Sequence, residues 1–459
     1  MTDIRIWPGH AKGTVKAPPS KSQLHRSLIA AALCGEESRI RIPGWNSYGN
    51  PAGNPVGNPC GMERSPLSED ITATIECLRA LGCRIQITQD ELIVKGNRNE
   101  KLIKEPLILP VHASGSTLRF LIPLALSLGR PVRFTGDRTL FERPLTVYED
   151  LCLRYGFSFQ VSQDDHGAYL DVCGPKRKEI SAHSEPAPES PRVSPNIEPM
   201  SITIQGNISS QFTTGLLLAL PLFPGGGRIE LIPPVVSRPY IEMTRQVLDQ
   251  FGIQTFWEKD TDHERILIPA GQKYQNTNIS IEGDESQAAF LKAIPLLDPM
   301  SEVIATGLNP DTVQGDRAFI SLADKLQHQL PVDLSDTPDL GPILFAVAAA
   351  GCGGSFTGTA RLQDKESDRV RVMAEELAKF GIQSRTGPDR FTVLPGKLRA
   401  PKKPLTGHGD HRVVMALAIL LIKTGGVIRG AEAISKSDPM FFDRLKALGI
   451  QIEEERNTL

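Results

Sequence analysis

No two of the seven cysteines (Cys34, Cys60, Cys77, Cys83, Cys152, Cys173 and Cys352) stand in C-x-x-C spacing, and none adjoins a histidine at ligand spacing. That removes zinc ribbons and dithiol redox motifs; the odd count suits buried free thiols in a reducing compartment. Basic excess is also missing. Lys plus Arg number 51 against 53 Asp plus Glu, for a formal charge of -2, whereas proteins that live on nucleic-acid phosphates carry a surplus of cations. No nucleic-acid partner is expected. Long apolar runs are absent too: the longest, such as 413–422, fall well short of the roughly 18 residues a spanning helix needs. The start, MTDIRIWPGHAKG, has no basic stretch followed by an apolar one. No membrane partner and no secretory leader are expected, and the expected location is cytoplasmic.

What remains is an ordinary globular composition, 40% hydrophobic and 23% charged over 459 residues, enough for roughly two or three domains. Glycine (40) and proline (36) are generously used. Part of that surplus sits at 43–66, which repeats Gly-Asn-Pro, and part at 175–199, rich in Pro, Ser, Glu and Lys. Neither composition supports a packed core, so both read as surface insertions.

Repetition carries the most information. An amphipathic helix that ends in Gly and runs into a strand reads IECLRALGCRIQI at 75–87, EDLCLRYGFSFQV at 149–161 and RQVLDQFGIQTF at 245–256. It returns as MAEELAKFGIQS at 373–384 and DRLKALGIQIE at 443–453, with a degraded copy, SLADKLQHQLPVDL, at 321–334. A second pattern interleaves with it: a polar cluster opening a helix apolar on nearly every face. Its copies are SKSQLHRSLIAAAL from Ser20, SGSTLRFLIPLAL from Ser114, SSQFTTGLLLALPL from Ser209, ESQAAFLKAIPLL from Glu285, TPDLGPILFAVAAA from Thr337 and GDHRVVMALAILLI from Gly409. A helix apolar all round belongs inside a protein, while its unpaired N–H groups and positive dipole end favour anions.

These six units predict an α/β (α+β) fold of two similar lobes. Each lobe holds three βαβαββ-type units with buried helices inside and mixed sheets outside, like an inverse α/β barrel. The N-terminal lobe is expected over 20–282, and the C-terminal lobe over 283–459 together with 1–19. The hinge falls near 281–284, and the strand at 3–6 is free to pair with the C-terminal lobe.

The helix starts hold the chemistry. Ser20-Lys21-Ser22 ends like a phosphate-binding loop but lacks its glycines, so a nucleotide loop is excluded. Either an anion site or a Ser-capped helix with solvated Lys21 and Arg26 fits. Arg119, Arg143, Ser209-Ser210-Gln211, Ser237 to Tyr240, Lys365-Glu366-Ser367-Asp368-Arg369, Asp410-His411-Arg412 and Lys436 pose the same choice. An arginine at the mouth of an apolar helix must find a partner, which favours function. His408-x-x-His411 has no third ligand, so neither a metal nor a cofactor is expected.

Taken in order along the chain, these motifs resemble the 3-phosphoshikimate 1-carboxyvinyltransferase (EPSP synthase) family of enolpyruvyl transferases. The carrying residues are Pro19-Ser20-Lys21-Ser22 with Arg26, Ser114-Gly115-Ser116-Thr117-Leu118-Arg119, Glu142-Arg143-Pro144, Ser209-Ser210-Gln211, Ser237 with Tyr240, Pro338-Asp339, Lys365 to Arg369, Asp410-His411-Arg412 and Lys436. The resemblance spans the chain apart from the two insertions. It implies a transferase of the shikimate pathway, in chorismate and aromatic amino-acid biosynthesis, whose small-molecule partners are phosphoenolpyruvate and shikimate 3-phosphate. The 5-hydroxyl adds to C2 of phosphoenolpyruvate, and the tetrahedral ketal then loses phosphate.

By carry-over, Lys21, Asp339 and Glu366 are the catalytic candidates: Asp339 for the hydroxyl proton, Lys21 and Glu366 for the methylene. A lysine set among arginines can move protons near neutrality. Shikimate 3-phosphate falls to Lys21, Ser22, Arg26, Ser209, Ser210, Gln211, Ser237, Tyr240, Asp339 and Lys365. Phosphoenolpyruvate falls to Lys21, Gly115, Arg143, Gln211, Arg369, Arg412 and Lys436, whose guanidinium groups suit carboxylate and phosphate. The chain departs from the family at Ala113, where asparagine is common, and at Arg361, where some members carry asparagine. The runner-up, UDP-N-acetylglucosamine 1-carboxyvinyltransferase, shares the fold but resembles a Lys-Asn start and carries a Cys or Asp in a loop of its N-terminal lobe. An organic-phosphate-binding protein is the non-enzymatic alternative. A monomer is expected.

Overall fold

A computed structural model describes residues 2–43, 67–88, 90–97, 107–165, 167–174, 198–259 and 263–456. The segments read as surface insertions, 43–66 and 175–199, lie almost wholly outside the described residues.

Each polar cluster opens a helix, and in five of the six a side chain at or just before its start caps the helix. Ser20 accepts from the Gln23 amide ahead of Lys21–Leu33, Ser114 from Thr117 ahead of Gly115–Ser127, and Ser209 from Gln211 ahead of Ser210–Ala219. Asp284 accepts from Gln287 ahead of Glu285–Leu297, and Asp410 from Arg412 ahead of His411–Thr424. The remaining helix, Gly341–Ala350, has no side-chain cap and grows out of the 3-10 turn Pro338–Leu340. Satisfying one orphan N–H this way contributes about 1 kcal/mol per helix. It also leaves neighbouring N–H groups free to face a ligand.

The amphipathic pattern gives the helices Glu69–Ala80, Thr146–Tyr155, Arg238–Gln250, Phe319–Gln327, Arg369–Lys379 and Phe441–Ala447. Gly82, at φ +85°, makes the first exit turn; in the degraded copy Gln329 takes the left-handed conformation at φ +57° instead. A side chain tolerates that region at a cost glycine does not bear, which is why the copy looks degraded in sequence and still turns.

Five of the six sheets formed by the described residues share one recipe: a parallel pair, followed by two antiparallel pairings. In one of them Met200–Gln205 runs parallel to Gly227–Ile232, which is antiparallel to Glu264–Ile268, which is antiparallel to Phe256–Lys259. The N-terminal strand Thr2–Ile6 takes the third place in the last sheet, between Gly426–Arg429 and Ile452–Arg456. Asn278–Ser280 fills the parallel slot beside Glu37–Arg41, so late chain completes the first sheet. The architecture is therefore mixed α/β, with buried helices and mixed sheets.

Buried apolar side chains gather in two clusters. One runs from Leu24 to Ile281; the other joins Ile4, Ile6 and Ala11 to residues between Ala289 and Ile450. The chain passes between them twice, and the two passages lie side by side: the Ser20 amide donates to Glu282 O at 2.8 Å and the Asp284 amide to Pro18 O at 2.8 Å. No helix among the described residues is long and apolar enough to cross a membrane. Cys34, Cys77, Cys83 and Cys152 are buried free thiols as expected, but Cys352 is exposed. It sits in the turn after Ala350, where the buried helix surfaces.

Candidate active site

All six buried helices aim their N-terminal ends at one cavity of about 280 Å³ between the two clusters. Its wall takes Lys21 and Ser22 from the first helix, Gly115 and Arg119 from the second, and Ser209, Ser210 and Gln211 from the third. Asp284, Asp339 and the pair His411 and Arg412 come from the other three. Six positive dipole ends and their free N–H groups make a strongly anion-seeking surface. The amphipathic helices and their leading loops add Arg143, Ser237, Tyr240, Arg361, Lys365, Glu366 and Arg369, and Arg26 lines the floor.

Asp339 is the hub. Arg369 Nη1 lies 3.0 Å from its Oδ1, Arg412 Nη2 2.9 Å from Oδ2, and Lys365 Nζ 3.9 Å from Oδ1. Burial pushes this carboxyl's pKa up, but Arg412, Lys365 and Arg369 outweigh it and hold the group well below the usual range. Glu366 is opposed by burial in the same way and held well below its usual range by Arg369, with Arg143 and Lys365; Arg369 Nη2 reaches it at 2.7 Å. Arg369 itself is 1% exposed and also binds Asp410 at 2.8 Å. Both candidate acid–base carboxylates are therefore ionised, and both occupy cations.

Lys21 departs from expectation. Its Nζ meets a carboxylate, Asp70 Oδ2, at 2.7 Å rather than a ring of arginines. The lysine that burial moves toward neutrality is Lys365, whose pKa falls to about 8. Burial also lowers Arg26 to about 10; its guanidinium is tied to Thr244, Thr214, Ser22 O and Tyr240 O. Ser237 sits in the left-handed region at φ +54°. Its amide donates to Ser335 O at 3.1 Å, and its hydroxyl accepts from Arg361 at 2.8 Å. These bonds join the two clusters at one edge of the cleft. Arg361, the departure from the family pattern, thus stands on the wall and grips a residue assigned to substrate.

Gly115 faces two cations. A Cβ there would lie 3.1 Å from Arg143 Nη1 and 3.6 Å from Arg119 Nη1. Lys436 is the one expected site residue that the structure leaves off this wall. It lies in the 3-10 segment Ala431–Lys436, half-buried, with Nζ donating to Gly409 O at 3.0 Å. His408 and His411 also part company: His408 pairs with Glu376 at 2.8 Å, while His411 faces the cleft. Burial lowers the His411 pKa well below its usual value, so the ring is neutral, and neither ring nitrogen has a hydrogen-bond partner among the described residues.

Sequence reading missed Asp70, the second residue of an amphipathic helix with nothing in its own unit to mark it. His411 carries no role there beyond membership of its cluster and a metal check, and Arg119 carries none. Arg119 Nη1 donates to Gln211 Oε1 at 2.8 Å, and the signal for it was present: an arginine on the fifth residue of an apolar helix.

The sequence matches the family model of EPSP synthase (3-phosphoshikimate 1-carboxyvinyltransferase) over residues 57–445. It is 33% identical to a 3-phosphoshikimate 1-carboxyvinyltransferase of Clostridium kluyveri, covering 99% of both chains, and 31% identical to one of Clostridium acetobutylicum with the same coverage. Among solved structures it is similar to EPSP synthase from Acinetobacter baumannii, with a TM-score of 0.72 at 20% identity over 99% of this chain and 100% of that one. It is also similar to the enolpyruvyl transferase NikO from Streptomyces tendae, with a TM-score of 0.65 at 15% identity over 99% and 98%. Those two likenesses show the fold. Family match and full-length relatives together show that the chain belongs to the EPSP synthase family.

Proposed function

We propose that this cleft transfers the enolpyruvyl group of phosphoenolpyruvate to the 5-hydroxyl of shikimate 3-phosphate and releases phosphate. The observation that carries the reading is the convergence of six helix N-termini, with their cations, on one cavity that also holds Lys21, Asp339 and Glu366. The family match favours shikimate 3-phosphate over UDP-N-acetylglucosamine as the acceptor.

In the proposed sequence the 5-hydroxyl oxygen bonds to C2 of phosphoenolpyruvate, its proton passing to Asp339, while C3 gains a proton to become a methyl group. The ketal then breaks its C2–O bond to phosphate as C3 gives a proton back. Glu366, held as a carboxylate by Arg369, is suited to taking the proton from C3 and cannot supply the first one. Lys21 is left to supply it. Substrate charge switches the carboxylates on. Carboxylate and phosphate of phosphoenolpyruvate compete for Arg369 and Arg412 together with Arg143, so Asp339 and Glu366 lose the cations that keep them weak bases. Ser209, Ser210, Ser237 and Lys365 take the shikimate phosphate and ring hydroxyls, with Ser22, Arg26, Gln211 and Tyr240 beside them.

Lys436 joins this set when the lobes 20–282 and 1–19 with 283–459 close about the paired crossings at 18–20 and 282–284. Closure excludes water and strengthens each ionic contact. The proposal keeps a cytoplasmic monomer, and the buried unpaired thiols Cys34, Cys77, Cys83 and Cys152 suit a reducing compartment.

Phosphate release should require phosphoenolpyruvate and shikimate 3-phosphate together; release with UDP-N-acetylglucosamine in place of the latter would overturn the reading. Gly115→Ala should leave stability unchanged and raise KM for phosphoenolpyruvate by about tenfold. Its methyl group displaces Arg143 by a few tenths of an ångström, and tenfold corresponds to about 1.4 kcal/mol of lost binding. Steady-state kinetics with each substrate varied in turn would show it; an unchanged KM would place the phosphoenolpyruvate anion elsewhere.

A further inference from the structure

One buried carboxyl next to the cleft has no part in the chemistry above. Asp316, in the 3-10 turn Gly315–Ala318, is 2% exposed and forms no ion pair among the described residues. The Ser286 hydroxyl donates to its Oδ2, and Oδ1 has no hydrogen-bond partner among the described residues. The Tyr240 hydroxyl stands 3.1 Å from Asp316 Oδ2 and 3.1 Å from Asp339 Oδ2. Tyr240 is on the helix Arg238–Gln250, whose apolar face packs in the first cluster, and both aspartates belong to elements of the second.

A phenol has one proton. It can satisfy one of these two carboxylates; the other contact then presses lone pairs and a negative charge against the phenol oxygen in a buried place, unless that carboxyl carries a proton of its own. The surroundings decide which does. Asp339 faces Arg369, Arg412 and Lys365. Asp316 faces Asp339, Asp284 and Tyr240, with Arg412 the one cation acting on it strongly. Burial and then Asp339 raise its pKa, against the weaker pull of Arg412 and Ser286.

We propose that Asp316 is a positioning residue for the transfer: a neutral carboxylic acid that donates to the Tyr240 hydroxyl and so turns the proton of Tyr240 onto Asp339. The proposal rests on Asp339 as the base for the 5-hydroxyl. When phosphoenolpyruvate draws Arg369 and Arg412 away, Tyr240 remains as the donor that holds Asp339 Oδ2 and leaves Oδ1 for the substrate hydroxyl. The contact also joins the two lobes at the residue that must be placed most accurately.

Asn at 316 keeps a neutral side chain with an N–H donor, and Ala keeps neither. Asp316→Asn should retain kcat within about fivefold, whereas Asp316→Ala should lose about 10²-fold in kcat with little change in either KM, the loss expected when a reacting group shifts by about 1 Å. Infrared spectra of substrate-free protein with 13C-labelled aspartate, at mildly acidic pH, should contain a protonated-carboxyl C=O band that Asp316→Asn removes. An unchanged band in Asp316→Asn would overturn the proposal, as would Asp316→Asn being as slow as Asp316→Ala. Full activity of Asp339→Asn would instead overturn the base assigned to Asp339, and the substrate-free spectra separate that failure from this one.

Discussion

Lys21→Ala is expected to lower kcat by about 10²–10⁴-fold, the range for losing a general acid, with the fold intact. Lys21 heads a helix whose cap is Ser20 and whose buried face is built from other residues, so truncating it removes no core contact. Its Nζ is fixed by Asp70 at 2.7 Å. The other lysine on the wall, Lys365, sits beside Asp339 and has another task. Lys21→Arg separates charge from proton transfer. It keeps a cation for the phosphate, but a guanidinium does not give up its proton, so it should be nearly as slow as Lys21→Ala while binding phosphoenolpyruvate better. In heavy water, deuterium should enter the methylene of the product in the wild type, and only slowly in either variant. Near-normal turnover of Lys21→Ala, or restored turnover in Lys21→Arg, would remove the acid role. Asp70→Asn should fall between the wild type and Lys21→Ala, since it frees Lys21 without deleting it.

Much of this architecture can be read from the chain because it is written in local periodicity. A Gly-terminated amphipathic helix such as 69–80, or a polar start followed by an apolar stretch such as 21–33, carries its burial pattern within a dozen residues. That the helix starts serve one anion site is suggested by their shared polar and cationic residues. What escapes is whatever one unit does to another. Asp70 meets Lys21 across 49 positions, and Arg361 meets Ser237 across 124; neither partner's own unit marks it. Asn278–Ser280 completes a sheet begun at Glu37, a pairing that a three-residue strand announces nowhere. Lys436 is legible only as part of a cluster before the last helix; where its side chain goes, to Gly409 O across 27 positions, is again set by another unit.

Removing the Arg369 guanidinium is expected to damage the structure as well as the chemistry. In Arg369→Met the side-chain volume stays, while Asp410, Asp339 and Glu366 lose a cation at 2.8, 3.0 and 2.7 Å. Breaking a buried ion pair from one side costs about 3–5 kcal/mol, which urea denaturation at neutral pH would read directly. The pH dependence has a definite sign. In the wild type, Asp339 and Glu366 have folded pKa values depressed below their unfolded values of about 4. Their stabilisation is therefore complete at neutral pH and is lost as pH falls through the depressed values. Without Arg369, burial is opposed by fewer cations and both pKa values rise, so the variant takes up protons and recovers stability relative to the wild type as pH drops from neutral toward 5. The gap between the two proteins should thus narrow on acidification. Adding Asp410→Asn to Arg369→Met should recover part of the loss at neutral pH, because it removes the carboxylate that is fully buried. A gap below about 1 kcal/mol, or one that does not change with pH, would mean that the three carboxylates are already compensated by Arg412, Lys365 and the helix dipoles.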